Sequence, residues 1–131
     1  MSKKGLDKER ELVNLLNENG FRAVRIAGSG AGSKKEGKPD VLCINSTIAY
    51  AIEVKSSSRD VIYIDKNQID SLIRFCDGYG IYPLVSVKFT RIPFVFLQVR
   101  ELDCTENGNR KISRETARGL SKCEKYCVAS I

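Results

Sequence analysis

The sequence predicts an α/β fold, with a mixed central β-sheet flanked by α-helices. Three observations predict it. Two segments carry apolar residues at helical spacing, one beginning near residue 6 and one near residue 66. Five short stretches, at 21–27, 40–44, 48–55, 82–89 and 94–99, alternate or run apolar over strand lengths. Their order is α-β-β-β-α-β-β-α, which mixes hairpins with a helical crossover as a mixed sheet requires. At 131 residues, 42% apolar and 29% charged, the chain is sized and composed for one globular domain over 1–131. There are no internal repeats and no linker.

The elements follow in order. Residues 6–19 place Leu6, Leu12, Val13, Leu15 and Leu16 on a helical stripe, and Gly20 stands where a glycine ends a helix. The alternating "FRAVRIA" at 21–27 is a strand. The stretch "GSGAGSKKEGKP" is Gly-rich, basic and aperiodic, and predicts a mobile loop. Residues 40–44 and 48–55 make a hairpin across the turn "NST". In "DKNQ", Asp65 is an N-cap and Gln68 takes the third helical position, the pattern of a capping box. The helix that follows carries Ile69, Leu72, Ile73 and Cys76 on one side and ends near Gly78 or Gly80. "YPLVSVKF" and "FVFLQV" are two more strands, split by "TRIP". "NGNRK" reads as a turn, and residues 113–127 as a weakly amphipathic basic helix.

Composition narrows the chemistry. The net charge is +6, and the basic residues are unevenly spread: 1–38 holds nine Lys/Arg against five Asp/Glu, and 107–125 holds six against two. Solubility alone accounts for such a balance, but a polyanionic partner fits it as well. No apolar run approaches a membrane span, and the first residues lack a signal-peptide core. The expectation is an intracellular, cytoplasmic protein, nucleoid-associated and without membrane contact. There is no histidine. Acid–base or metal chemistry must therefore run on carboxylates, lysine, tyrosine or cysteine. The five cysteines match no zinc spacing, and Cys43 and Cys76 fall at apolar positions where a thiol acts as a small hydrophobe. The glycine-rich loop lacks G-x-x-x-x-G-K-[ST] and no helix follows it, which excludes a nucleotide-binding loop.

Charges inside apolar runs mark the candidate site. Asp40 opens one strand, and Glu53 and Lys55 interrupt the next. Glu53 and Lys55 share a face of their strand, and pairing across the hairpin brings Asp40 near Glu53. Two adjacent carboxylates repel, and a hard cation with oxygen preference removes that conflict. Glu9 lies on the apolar stripe of the first helix, three residues before Leu12 and seven before Leu16. Taken singly, each has an ordinary reading: a turn aspartate, a solvated or ion-paired Glu-x-Lys, an ion pair of Glu9 with Lys8 or with a neighbour such as Arg25. Together, Pro39-Asp40, twelve intervening residues, and Glu53-Val54-Lys55 form a far more specific pattern.

That pattern resembles the PD…(D/E)xK signature of a metal-dependent nuclease superfamily. The segments "KGLDKERELVNLLNENGFRAVRIAGSG", "KPDVL", "IEVKSS" and "QIDSLIRFCDGYGIYPLVSVKF" together resemble the archaeal Holliday junction resolvases, in order and spacing, from about Lys4 to Val99. After about Arg100 the resemblance fades, and "YGIYP" replaces a glycine pair common at that turn. The resemblance implies a restriction-endonuclease-like fold and hydrolysis of a phosphodiester with Mg²⁺, for which Mn²⁺ substitutes. It implies metal ligation by Asp40, Glu53 and Glu9, with the Val54 carbonyl as a further ligand. It gives Lys55 a catalytic role and places Ser29 close to the active site. It implies backbone contacts to DNA from Arg10 and Arg25, to which the basic residues Lys34, Lys35 and Lys88 are added as candidates. Gln68 corresponds to a glutamine found in many such nucleases. The implied partner is branched DNA, a four-way junction, cut by a two-fold homodimer with paired symmetric nicks. The helix at 67–79 is similar to one used in dimerisation, with Phe75 and Tyr79 as apolar anchors; Phe75 as simple core is the competing reading.

Three alternatives stay open on sequence. The same scaffold serves restriction- or repair-type nucleases acting on other DNA substrates. A DNA-binding architectural protein would keep the fold and lose catalysis. A basic domain binding an acidic protein would show no salt-dependent affinity for nucleic acid.

Overall fold

Alternation of apolar side chains along the central strands determines where everything else packs. The computed structural model describes residues 3–26 and 37–131. Helix α1 (Lys3–Glu18) is followed by β1 (Arg22–Arg25), β2 (Val41–Ile44) and β3 (Ala49–Ser57). Then come β4 (Val61–Ile64), α2 (Lys66–Cys76), β5 (Tyr82–Phe89) and β6 (Val95–Leu97). Strands β7 (Asp103–Cys104) and β8 (Arg110–Ser113) precede α3 (Arg114–Leu120), and two short 3-10 turns close the chain.

The main sheet has five strands in the order β1-β2-β3-β5-β6. It is mixed: β1–β2, β2–β3 and β5–β6 are antiparallel, and β3–β5 is parallel. Along β5, Leu84 faces one apolar cluster while Val85 and Val87 face the other. The first cluster lies under α1 and includes Leu12, Leu16, Val41 and Ile52. The second holds Ile69, Leu72 and Cys76 of α2 with Ala51 and Val85 of the sheet. This is the predicted mixed sheet with helices on both faces.

Local signals act as expected in several places. Gly20 has φ +90°, and Phe21 N–H bonds back to the Leu16 carbonyl at 3.2 Å, which closes α1. In the "NST" turn the Asn45 Oδ1 accepts from the N–H groups of Thr47 and Ile48, both at 2.9 Å. Asp65 caps α2 by accepting from the Asn67 N–H at 2.7 Å.

Other expectations need correction. Residues 61–64, outside the predicted elements, form β4, and residues 110–113, half of them assigned to a turn, form β8. These pair with each other and, through β8, with β7 in a second, three-stranded antiparallel sheet. Such pairing joins segments far apart in sequence, which local pattern does not reveal. The helix expected at 113–127 stops at Leu120, because Ala117 is its one buried residue and no apolar stripe continues beyond it. Helix α2 ends at Cys76 with Asp77 extended and Gly78 at φ +81°, so Tyr79 lies outside the helix. No helix among the described residues is long and apolar enough to cross a membrane.

Candidate active site

The hairpin register sets the site. The last β2–β3 rung pairs Val41 with Ile52, and the Asp40 N–H still bonds the Ile52 carbonyl at 3.1 Å. Asp40 and Val41 thus both lie against Ile52, an irregular step that ends the ladder beside Glu53. Here the strands part. Instead of a main-chain partner, the Val54 N–H donates to the Asp40 Oδ2 at 2.9 Å. The aspartate side chain thus replaces a rung of the ladder, which fixes its carboxylate at the strand edge. A strand residue directs its N–H and C=O toward the same neighbour, so the Val54 carbonyl lies on this edge too.

Glu9 reaches the same place from the other side of the sheet. Helix α1 packs over β1, β2 and β3 on the face that carries Val41 and Ile52, opposite the face of Glu53. Because β2 ends at Val41, the sheet has a notch there, and side chains from both faces open into one cleft of about 660 Å³. Its lining includes Gly5, Lys8 and Glu9 from α1, then Asp40, then Glu53 to Arg59, and Gln68 from α2. Glu9, Asp40 and Glu53 are only 4%, 7% and 8% exposed.

Burying three carboxylates requires compensation. The Arg25 Nη1 lies 3.7 Å from Glu9 Oε1, and the Lys55 Nζ lies 3.9 Å from Glu53 Oε2. The Val54 N–H serves Asp40. Both ion pairs are long, and Lys55 and Arg25 remain partly exposed, so each cation stays accessible to an incoming anion.

The donor set decides which metal would suit the cleft. It offers carboxylate and carbonyl oxygens, and neither histidine nor cysteine lines it. Among the described residues no group of three or more His, Cys, Asp or Glu forms a ready-made metal cage. That arrangement fits a hard cation such as Mg²⁺, which binds through one or two carboxylates and keeps waters or substrate phosphate as its other ligands. It fits zinc less well, because zinc sites are built chiefly on histidine and cysteine.

The expected residues fall into four groups. Glu9, Asp40, Glu53, Val54, Lys55 and Gln68 line the cleft, and Arg25 touches it through Glu9. Arg10 is exposed on α1 and is not part of the lining. Lys88 also lies off the lining: its Nζ donates to the Phe89 carbonyl at 3.2 Å. Burial pushes the Lys88 ammonium below its usual range, and nearby Lys8 adds to the fall while Glu11 opposes it. Ser29, Lys34 and Lys35 lie outside the described residues. Phe75 is half-buried against the α2-side core, whereas Tyr79 is 77% exposed.

Sequence reasoning did not single out Gly5, Lys8, Ser56, Ser57, Ser58 or Arg59, which complete the lining. A signal existed for both sets. Gly5, Lys8 and Glu9 recur at i, i+3, i+4 on one helix face, and the polar run Ser-Ser-Ser-Arg continues directly from Lys55.

Comparison with known proteins gives a consistent result. A family model described as archaeal Holliday junction resolvase (hjc) matches residues 1–126, well past the point where the sequence resemblance fades by eye. A crossover junction endodeoxyribonuclease of Sulfolobus islandicus rod-shaped virus 1 is 36% identical over 92 residues, covering 68% of this chain and 74% of that protein. The crossover junction endodeoxyribonuclease Hjc of Archaeoglobus fulgidus is 34% identical over 106 residues, covering 81% and 76%. The solved structure of the Archaeoglobus fulgidus Hjc, described as a Holliday junction resolvase, superposes with a TM-score of 0.77 at 31% identity, covering 90% of this chain and 89% of that one.

Proposed function

The chain belongs to the archaeal Holliday junction resolvase family, and on that premise we propose that it resolves four-way DNA junctions by hydrolysing phosphodiester bonds at the Glu9–Asp40–Glu53–Lys55 cleft. The observation that carries this reading is the shared cleft: three buried carboxylates and a lysine, drawn from α1, the residue just before β2, and β3, open into one space at a notch in the sheet. Nothing in stability alone calls for that many carboxylates in so little buried volume.

In this reading Asp40, Glu53 and the Val54 carbonyl would hold Mg²⁺, or Mn²⁺ in its place, with Glu9 completing the acidic wall. The metal would supply Lewis-acid stabilisation of the charge that develops on the phosphoryl oxygens and would lower the pKa of a water. The chain's own residues do the rest. The Val54 N–H holds the Asp40 carboxylate in one orientation. Arg25 holds Glu9 in place through their ion pair, and can also turn toward a phosphate. Lys55 orients the attacking water or donates to the non-bridging oxygens as negative charge builds up. Arg10, Arg25 and Lys88, with Lys34 and Lys35, contact the DNA backbone. Ser29 belongs to the same reading as a residue close to the reaction.

The substrate is branched DNA, and shape rather than base sequence selects it, because no element among the described residues is built to enter a major groove. A junction has two-fold symmetry, so a homodimer carrying two clefts matches it and places paired, symmetric nicks. Tyr79 and Phe75, on the α2 side, are the proposed contact between the two copies. One domain spanning 1–131 serves the whole reaction.

Cleavage of a labelled four-way junction beside a linear duplex of the same sequence tests the reading, in Mg²⁺ and in EDTA. Symmetric nicks on the junction alone, lost in EDTA, are expected. Equal cutting of both substrates would leave a nuclease without junction selectivity. Binding without cutting would favour an architectural role. Glu53→Gln removes a charge from the cleft while keeping its shape, and should lower single-turnover cleavage by about 10³-fold or more. Junction affinity in EDTA should be unchanged or tighter. A variant that folds and loses affinity instead would remove Glu53 from the ligand role.

A further inference from the structure

The wall of the cleft beyond Lys55 is a turn held from behind by one side chain. Residues 56–59 line the cleft, and Ser58 and Arg59 are exposed. Arg114, the first residue of α3, reaches this turn across more than fifty residues of chain. Its Nη2 donates to the carbonyls of Ser58 at 2.6 Å and Arg59 at 2.8 Å, and its Nη1 donates to the Thr90 carbonyl at 3.0 Å. Its backbone N–H donates to the Asp60 carbonyl at 2.6 Å. Its Nε lies 3.6 Å from the Asp60 carboxylate, and the guanidinium sits 5.3 Å from the centroid of the buried Phe89 ring. Two shorter links complete the knot: Thr90 N–H to the Ser57 carbonyl at 3.1 Å, and Arg59 N–H to Ser57 Oγ at 2.9 Å.

The chemistry of this arrangement is directional. Three consecutive carbonyls, of residues 58, 59 and 60, are engaged by Arg114. Carbonyl oxygens repel an anion. With them engaged, the turn offers the cleft serine hydroxyls and the Arg59 guanidinium, all suited to a phosphate. The Arg114 fork also bridges Ser58 and Thr90, which follow the paired ends of parallel strands β3 and β5. The turn is thereby locked to the same strand end that carries Lys55.

We infer that Arg114 is a positioning residue that holds residues 56–59 as a subsite for a DNA backbone phosphate next to the scissile one, gripped by Arg59 with the hydroxyls of Ser56 and Ser58. This rests on the reading of the cleft as the nuclease site. Arg114 touches no DNA and acts through Arg59.

A double-mutant cycle tests it. Junction binding is measured in EDTA across a salt series, and single-turnover cleavage in Mg²⁺, for wild type, Arg59→Ala, Arg114→Ala, Arg114→Lys and the Arg59→Ala/Arg114→Ala pair, each checked for fold by circular dichroism. Arg59→Ala should weaken binding roughly tenfold and reduce the slope of log K against log salt by about 0.9, the loss of one phosphate contact. Arg114→Ala should reproduce both effects. Arg114→Lys should do the same, since a point charge cannot span three carbonyls, and it carries the test if the alanine variant does not fold. The double variant should be no worse than either single one. An unchanged salt slope in Arg59→Ala, or a loss of affinity without a slope change in either Arg114 variant, would overturn the inference and leave Arg114 a merely structural anchor. Multiplicative effects in the pair would do the same. Wild-type protein that neither binds nor cuts the junction would instead remove the reading beneath it.

Discussion

Two buried thiols give the most direct residue-scale prediction. Burial pushes Cys43 and Cys76 up to about 11 from an ordinary 9.0, and for Cys43 a backbone hydrogen bond from Tyr50 pulls partly the other way. A raised folded-state pKa means the folded chain holds these protons after the unfolded chain has released them. The contribution to stability is therefore complete below pH 9 and is lost as pH rises toward 11, by at most about 1.4 kcal/mol per pH unit for each thiol. Thermal midpoints between pH 8 and 10.5 should fall, and should fall less steeply in a Cys43→Ala/Cys76→Ala variant. At pH 8 an alkylating reagent should label the exposed Cys104 and Cys123 well before either buried thiol. At this scale the sequence was readable where a residue contradicted its surroundings. Asp40, Glu53 and Lys55 stood out because they interrupt apolar runs, and the structure brings them to one cleft. The ordinary reading of Glu9 as a partner of Arg25 is realised alongside its place in that cleft. Lys8, Ser56 and Arg59 are polar residues among polar neighbours and gave no such contrast. Arg114 was harder still, because its partners are carbonyl oxygens, which every residue possesses.

Among the elements, α2 has the clearest point of failure. It has no acidic residue in its first turn, so Asp65 alone supplies both the cap and the favourable charge at its N-terminus. Asp65→Ala should cost about 1 kcal/mol and lower the melting midpoint by about 3–6 °C. Junction cleavage should suffer as well, because Gln68 sits in the same turn and lines the cleft. A melting midpoint within a degree of wild type would show that the cap is dispensable. Caps and glycine stops are local chemistry, which explains why Gly20, the "NST" turn and Asp65 were legible. The three-stranded sheet was not. Strands β4 and β8 are four residues each and find one another across more than forty residues of chain. Neither carries a pattern that names its partner. The tail beyond Leu120 misled for the opposite reason: its basic, faintly amphipathic composition suits a helix, but Tyr126 packs on one apolar cluster and Val128 and Ile131 on the other, so no single helical stripe forms.

For the molecule as a whole, charge and topology point the same way. A net charge of +6 on 131 residues favours a polyanion at long range. Junction affinity should fall steeply with salt, with a log–log slope of about −0.9 for each phosphate contacted. A slope near zero in a titration from low to moderate salt would remove DNA as the partner. The fold class was legible because helical and strand periods alternate in an order that only a mixed sheet accommodates. What sequence left hidden was the notch at the end of β2, where side chains from opposite faces meet. The one parallel pair, β3 with β5, carries a consequence in time. When residue 60 has left the ribosome, Glu9, Asp40, Glu53 and Lys55 have all been made, and the hairpin of β2 and β3 can already close locally. Strand β3 then waits for residues 82–89 to cover its other edge, and the turn after it waits for residue 114. Distant pairings of this kind close late, because their loop entropy must be met first. A nascent chain thus holds the proposed acidic groups before it holds the strand and the side chain that frame them, and the proposed cleft is complete only after residue 114 has been made.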